Sequence, residues 1–231
     1  MKNNFKVIAF DADDTLWVNE PYYRETEEQF FRLLGDYLPA GEISRELYQT
    51  EMENLPMYGY GTKGFMLSMI ETALRISNNK IAPEILQKII GLGKKQLTQP
   101  VVLLDGVVDV LKYLSGKNCK LVVATKGDLL DQERKLKMSD IQHFFHHIEI
   151  MSHKKESDYQ KLIRHLDIEP NEFLMIGNSY KSDIEPVLNI AGYGIHIPYH
   201  ITWEHEKTEE NGNHPNWMKI NDILEIQNIL Q

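Results

Sequence analysis

Apolar residues follow two different spacings along this chain, and the change from one to the other divides it. A short unbroken run, Val7-Ile8-Ala9-Phe10, reads as a buried strand. From about residue 20 to residue 98 the apolar positions recur at three and four. Phe30, Phe31, Leu33 and Leu34 form one such set, Phe65, Leu67, Met69, Ile70 and Leu74 a second, and Ile85, Leu86, Ile89 and Ile90 a third. That spacing predicts amphipathic helices. Between them the three glycines of Tyr58-Gly59-Tyr60-Gly61-Thr62-Lys63-Gly64 predict a turn. From Val101 onward short apolar runs alternate with amphipathic stretches, the pattern of a parallel sheet covered on both faces. Strands are predicted near residues 120–124, 147–150, 173–176 and 194–197, and helices near 107–114, 129–137, 157–166 and 184–191. The polar stretch 203–217, with Asn211-Gly212-Asn213 inside it, reads as an irregular surface loop, and residues 220–230 as a closing helix.

The first strand belongs with the later ones, so the helical block is an insertion. The expected fold is α/β: a Rossmann-like, doubly wound parallel-sheet core from residues 1–18 and 100–231, with an all-helical cap from residues 19–99. A chain of 231 residues with 42% hydrophobic content supports a sizeable core. Its formal charge of −9, from 25 Lys+Arg and 34 Asp+Glu, disfavours a nucleic acid or an anionic membrane as partner and points to a small ligand. The single cysteine, Cys119, leaves no internal disulfide and reads as a core thiol at the start of a strand. Four apolar residues before Asp11 are too few for a signal-peptide core, and no later run approaches membrane-spanning length, so cytoplasmic residence is expected.

Chemistry concentrates at the predicted strand ends. Asp11-Ala12-Asp13-Asp14-Thr15-Leu16 follows the first strand, and such a carboxylate cluster beside a buried strand needs a cation or hydrogen-bond donors. In open α/β sheets ligands bind beyond the carboxyl ends of the strands, so the polar residues that follow each strand converge. Thr125-Lys126-Gly127 follows the second strand, Ser152, His153, Lys154 and Lys155 the third, and Gly177-Asn178-Ser179 with Asp183 the fourth. Singly, each has a plainer reading: Thr125 as a helix cap, the lysines as solvated charges, Gly177-Asn178-Ser179 as a turn.

Taken in order, the four segments resemble the motifs of the haloacid dehalogenase-like (HAD) hydrolase superfamily. The resemblance spans essentially the whole chain and includes a helical cap between the first and second motifs. It implies that Asp11 is a nucleophile forming an aspartyl-phosphate and that Asp13 is a general acid/base. Thr125, with the main-chain N–H groups of Lys126 and Gly127, would hold the phosphate, and Lys154 would offset its charge. Lys154 is preferred to Lys155 because it lies nearer the strand end. The implied cofactor is Mg²⁺, on Asp11, the main-chain carbonyl of Asp13, Asp183 and Asn178. The family commonly has an acid where this chain has Asn178, whose amide oxygen can ligate the ion or hold one of its waters.

Asp14 reads as structural, with Thr15 orienting the loop. Trp17 either lines the pocket mouth or packs. Lys63, in the glycine-rich turn with Tyr58, Tyr60 and Thr62, is a candidate substrate contact, since such caps close over the strand ends. The polar aromatic stretch 196–205 is expected to border the site. Zinc binding by His143, His146 and His147, or by His200 and His205, lacks a Cys or acidic partner at familiar spacing. The expected function is Mg²⁺-dependent hydrolysis of a small phosphorylated metabolite. A sugar-phosphate mutase of the same superfamily and a non-catalytic receiver-like phosphoacceptor are the alternatives. A haloacid dehalogenase fits less well, because such enzymes usually lack an acid at the position of Asp13.

Overall fold

The structure, a computed structural model, describes residues 5–210, 212 and 214–231, so the readings of the first four residues and of Asn211 and Asn213 lie outside it. Among the described residues, six strands form one parallel sheet: β1 (Val7–Phe10), β2 (Lys120–Lys126), β3 (His147–Met151), β4 (Phe173–Gly177), β5 (Tyr193–His196) and β6 (Trp217–Lys219). Their order is β3-β2-β1-β4-β5-β6. The chain steps outward from β1 to β2 and β3, then returns to the other side of β1 for β4. This puts the topological switch point, where ligands bind in such sheets, between β1 and β4.

β1 is apolar throughout because both its faces are covered, and alternation sorts its side chains between them. Ile8 and Phe10 join Leu121, Val123, Leu174 and Ile176 in one buried layer, and Val7 and Ala9 join Val122, Ala124, Phe173 and Met175 in the other. Register aligns Phe10 with Val123 of β2 and with Ile176 of β4, so the residues that follow leave the sheet at one level.

Helices α1 (Glu20–Leu33), α2 (Ala40–Tyr58), α3 (Thr62–Ile76) and α4 (Pro83–Gln96) make up the inserted block. They close their own core around Phe30, Leu34, Ile43, Leu47, Phe65, Met69 and Ile89. The remaining helices are α5 (Val107–Ser115), α6 (Leu129–Met138), α7 (Glu156–His165), α8 (Glu185–Asn189) and α9 (Ile226–Ile229). α5 covers the Phe10 layer with Val107, Val110, Leu111 and Leu114, and α7 covers the Ala9 layer with Tyr159, Leu162 and Ile163. No helix among the described residues is long and apolar enough to cross a membrane.

By packing, the chain divides into a sheet unit and a helical unit. The sheet unit holds the segment ending at Glu20, Val101–Lys126 and Arg134–Gln231, and the helical unit holds Pro21–Pro100 and Gly127–Glu133. The stretch 127–133, expected with the sheet, thus groups with the helices. Lys63 Nζ reaches the Asp128 carboxylate at 2.9 Å, and Gly61 lies so close that a Cβ there would stand 2.8 Å from Asp128 N.

Local structure departs from expectation in three further places. Gly64 lies inside α3, where a Cβ would fall 2.9 Å from the Gly59 carbonyl, so the break is only Gly59 to Gly61. The expected surface loop runs into the edge strand β6, and the closing helix is instead a turn at Ile223–Glu225 and the four-residue α9; Asp222 caps the turn by accepting the Leu224 N–H at 2.8 Å. Three residues of strand are too few to display a period of two. Cys119 precedes β2 and is half-buried, its Sγ 3.8 Å from the Leu114 carbonyl.

Candidate active site

Asp11 ends β1, its N–H bound to the Ile176 carbonyl at 2.9 Å. The chain then turns sharply, with Leu16 N–H on the Ala12 carbonyl at 2.8 Å and Asp14 at a φ of 59°. Asp14 is buried and accepts the N–H groups of Asn19 at 2.9 Å and Glu20 at 3.0 Å, which seats the start of α1. Burial pushes its carboxyl up to about 8, against the pull of those N–H bonds. Its part is structural. Thr15 Oγ1 lies 3.4 Å from Asp11 Oδ2 and orients that carboxylate.

Of the two adjacent lysines, Lys155 is exposed and stands at the start of α7, whereas Lys154 is buried. Lys154 Nζ donates to the Asp11 carboxylate and, at 2.6 Å, to Asp183 Oδ1. Burial alone would lower the Lys154 pKa, but the charges of Asp11 and Asp183 hold it raised. Burial drives Asp11 upward, opposed by Lys154 and reinforced by Asp183. One lysine therefore serves two buried carboxylates, which leaves a local excess of negative charge.

Asp183 belongs to a single π-type turn, Tyr180–Ile184, of the kind that often marks functional sites. Gly177 makes room for it: a Cβ on Gly177 would fall 2.2 Å from Asp183 Oδ2. The Ser179 N–H donates to that oxygen at 3.0 Å. The Asn178 side chain faces the main-chain carbonyl of Asp13 and Oδ2 of Asp11, 3.2 Å from each; its amide nitrogen, turned that way, donates to both. His196 on β5 reaches the Asn178 carbonyl at 3.0 Å, so the aromatic stretch meets the site at this residue.

Oxygen donors gather here, the Asp11 and Asp183 carboxylates and the Asp13 carbonyl, with the Asn178 amide beside them. A hard divalent cation suits them, and the excess negative charge left around Lys154 favours one. Among the described residues no three His, Cys, Asp or Glu side chains cluster to hold a metal. The candidate set has only two carboxylates; its further oxygens would come from the Asp13 carbonyl and, with the side chain turned over, the Asn178 amide.

Thr125 is buried in β2, its hydroxyl 3.3 Å from the Lys126 carbonyl. Lys126 Nζ turns to Glu206 at 2.6 Å, so only its main chain is left to meet a phosphate. Gly127 has a φ of 132°, which only glycine adopts readily. Lys63 lies in the helical unit on Asp128.

Two residues have no counterpart in the motif reading. Trp17 is fully buried, not at a pocket mouth, and its indole N–H donates to Asp13 Oδ1 at 2.7 Å. Lys135 of α6 donates to the same oxygen at 2.6 Å and to Asn19 Oδ1 at 3.3 Å. Lys135 sits in a charged helical stretch, and nothing local marks it.

The family model for haloacid dehalogenase-like hydrolases matches residues 5–189, which include all four strand-end segments. The chain belongs to this family. The hydrolase is also similar over nearly its whole length to a crystal structure of a haloacid dehalogenase-like family hydrolase from Xanthomonas campestris. The two are 34% identical with a TM-score of 0.89, over 99% of this chain and 91% of the other. The magnesium-bound crystal structure of the HAD hydrolase YfnB from Bacillus subtilis shares the fold at 16% identity. Its TM-score is 0.66, over 99% of this chain and 100% of YfnB. Mouse N-acylneuraminate-9-phosphatase is 24% identical, over 98% of this chain and 94% of its own length.

Proposed function

We propose that this hydrolase cleaves a small-molecule phosphomonoester through an aspartyl-phosphate on Asp11, with Mg²⁺ as cofactor. One observation carries the reading: Asp11 and Asp183, both buried, share the single cation of Lys154 at the topological switch point. An isolated structural ion pair would need only one carboxylate. Two carboxylates around one ammonium, with the Asp13 carbonyl and the Asn178 amide beside them, suit a divalent ion and an anionic substrate.

Asp11 attacks phosphorus in line with the ester oxygen, and the phosphorus–oxygen bond to the alcohol breaks. Asp13 gives its proton to the departing alkoxide. In the second half Asp13 takes a proton from water, which attacks the same phosphorus; the bond to Asp11 breaks and inorganic phosphate leaves. Trp17 and Lys135 hold the Asp13 carboxylate in one orientation for both transfers. Lys154 offsets charge on the transferring group, and Thr125 with the N–H groups of Lys126 and Gly127 holds its outer oxygens. Mg²⁺, held by Asp11, the Asp13 carbonyl, Asp183 and Asn178, would screen the repulsion between the nucleophile and the phosphate.

The likeness to a phosphatase of a phosphorylated sugar acid supports a phosphorylated sugar or sugar acid as the first substrate class to try. Turnover of p-nitrophenyl phosphate with Mg²⁺, followed by a panel of such esters, tests the reading. A single stoichiometric phosphorylation without turnover would instead identify a phosphoacceptor module.

A further inference from the structure

A half-buried carboxylate outside the four motif segments joins the loops at the ends of β2 and β4. Glu206 ends the turn Glu204–Glu206, and its side chain is 13% exposed. Oε1 accepts Lys126 Nζ at 2.6 Å, and Oε2 accepts the hydroxyls of Ser179 and Ser182, each at 2.6 Å. Lys126 Nζ also donates to Ser182 Oγ at 2.9 Å, and Ser179 Oγ accepts the Ser182 N–H at 3.1 Å. A second fastening lies one residue away, where Lys181 Nζ donates to the His205 carbonyl at 2.5 Å.

The members of this network are the immediate chain neighbours of the site. Lys126 follows Thr125, Ser179 follows Asn178, and Ser182 precedes Asp183. Because β2 and β4 flank β1 on opposite sides, the bonds cross the end of the strand that carries Asp11. Backbone bonds within the sheet cannot make that connection beyond the strand ends, where the chains diverge. Ser179 passes it on directly, since its N–H holds Asp183 Oδ2 at 3.0 Å.

We propose that Glu206 is a positioning residue that sets the phosphate cradle at Thr125 against the cation-binding pair Asn178 and Asp183. It acts through Lys126 and the two serines and touches neither substrate nor ion. The inference rests on the Mg²⁺-phosphatase reading above and deepens it. Without Glu206, Lys126 loses its counter-charge and both hydroxyls lose their acceptor, so the two loops no longer share an anchor.

Calorimetric titration of Mg²⁺ into the purified protein, with no substrate present, tests this apart from turnover. Glu206→Gln is expected to raise the Mg²⁺ Kd by about 10-fold or more, the usual cost of removing a partner of a metal-site loop. Lys126→Met should weaken Mg²⁺ in the same direction, and the double variant should lose less than the product of the two single losses, because both act through one network. A folded Glu206→Gln protein with the wild-type Kd would overturn the proposal. If that variant does not fold, Ser182→Ala carries the test, and an unchanged Kd there would overturn it equally. Wild-type protein that binds no Mg²⁺ would reject the cofactor reading, and the positioning role with it. Tight wild-type binding left unaltered by the variants would reject the role of Glu206 alone.

Discussion

Residues 21–100 and the strand ends of the sheet unit both bury polar side chains, but of different kinds. In residues 21–100 the buried polar side chains are all neutral: Thr26 bonds Gln96 at 2.9 Å, Thr72 bonds Thr50 at 3.0 Å, and Asn54 bonds Ser68 at 3.2 Å. Each pair satisfies itself within the helical core at little cost. At the strand ends of the sheet unit charged groups are buried as well: Asp11, Asp183 and Lys154 in one cluster, with Lys135 beside it on the half-buried Asp13. Buried ions are a poor route to stability, because desolvation offsets much of their attraction. Their presence in one unit and absence from the buried set of residues 21–100 separate a scaffold that holds its shape from a surface that does chemistry.

Disturbing the charged set should therefore cost activity first, and disturbing the neutral set stability alone. The largest effect is expected from Asp11→Asn, with kcat on p-nitrophenyl phosphate falling by roughly 10⁴-fold or more while the circular dichroism spectrum is unchanged. Comparable activity in that variant would remove the nucleophile. Chelation with EDTA should abolish turnover and added Mg²⁺ restore it; turnover that survives EDTA would sink the cofactor assignment. Lys154→Met should break both kinds of property at once, because two carboxylates lose their counter-charge. A loss of about 3–5 kcal/mol in urea unfolding is expected together with loss of turnover.

Glu206 gives a pH-dependent version of the same contrast. Burial acts to raise its carboxyl, but Lys126 and the two serine hydroxyls outweigh that and hold it at about 2, below the ordinary 4.5. A depressed carboxyl stabilises the fold fully above its unfolded value and loses that contribution as pH falls through the folded one. The unfolding free energies of wild type and Glu206→Gln should thus differ by roughly 3 kcal/mol at pH 7 and converge as pH drops from about 4.5 toward 2. Parallel curves across that range would count against the ion pair. Smallest of all, Thr72→Val in the helical unit should cost about 1 kcal/mol by urea unfolding and leave kcat and KM within about twofold of wild type.

How much of this could be read from the chain alone varied with distance along it. β1, the helical insertion and the four polar segments were legible because each is local: an apolar run, a spacing of three and four, a cluster directly after a strand. Lys135 escaped because it meets Asp13 across 122 positions, and Glu206 because it meets Lys126 across 80. In both cases the residue sits among other charges with no spacing to single it out. β6 and the grouping of residues 127–133 with the helices were hidden for the same reason, since each depends on a neighbour brought up by the fold.

The amino-acid order determined which residues stand at the ends of the strands, because hydrophobic periodicity and strand length act over a few neighbours. That is enough to set the family and the inventory of acids, lysine, threonine and amide. Tertiary structure decided which of them touch. It gave Lys154 two carboxylates and left Lys155 in water, turned Lys126 toward Glu206, and closed Trp17 and Lys135 onto Asp13. Ion pairing and hydrogen bonding act over ångströms of space, and only a packed sheet makes distant positions into neighbours.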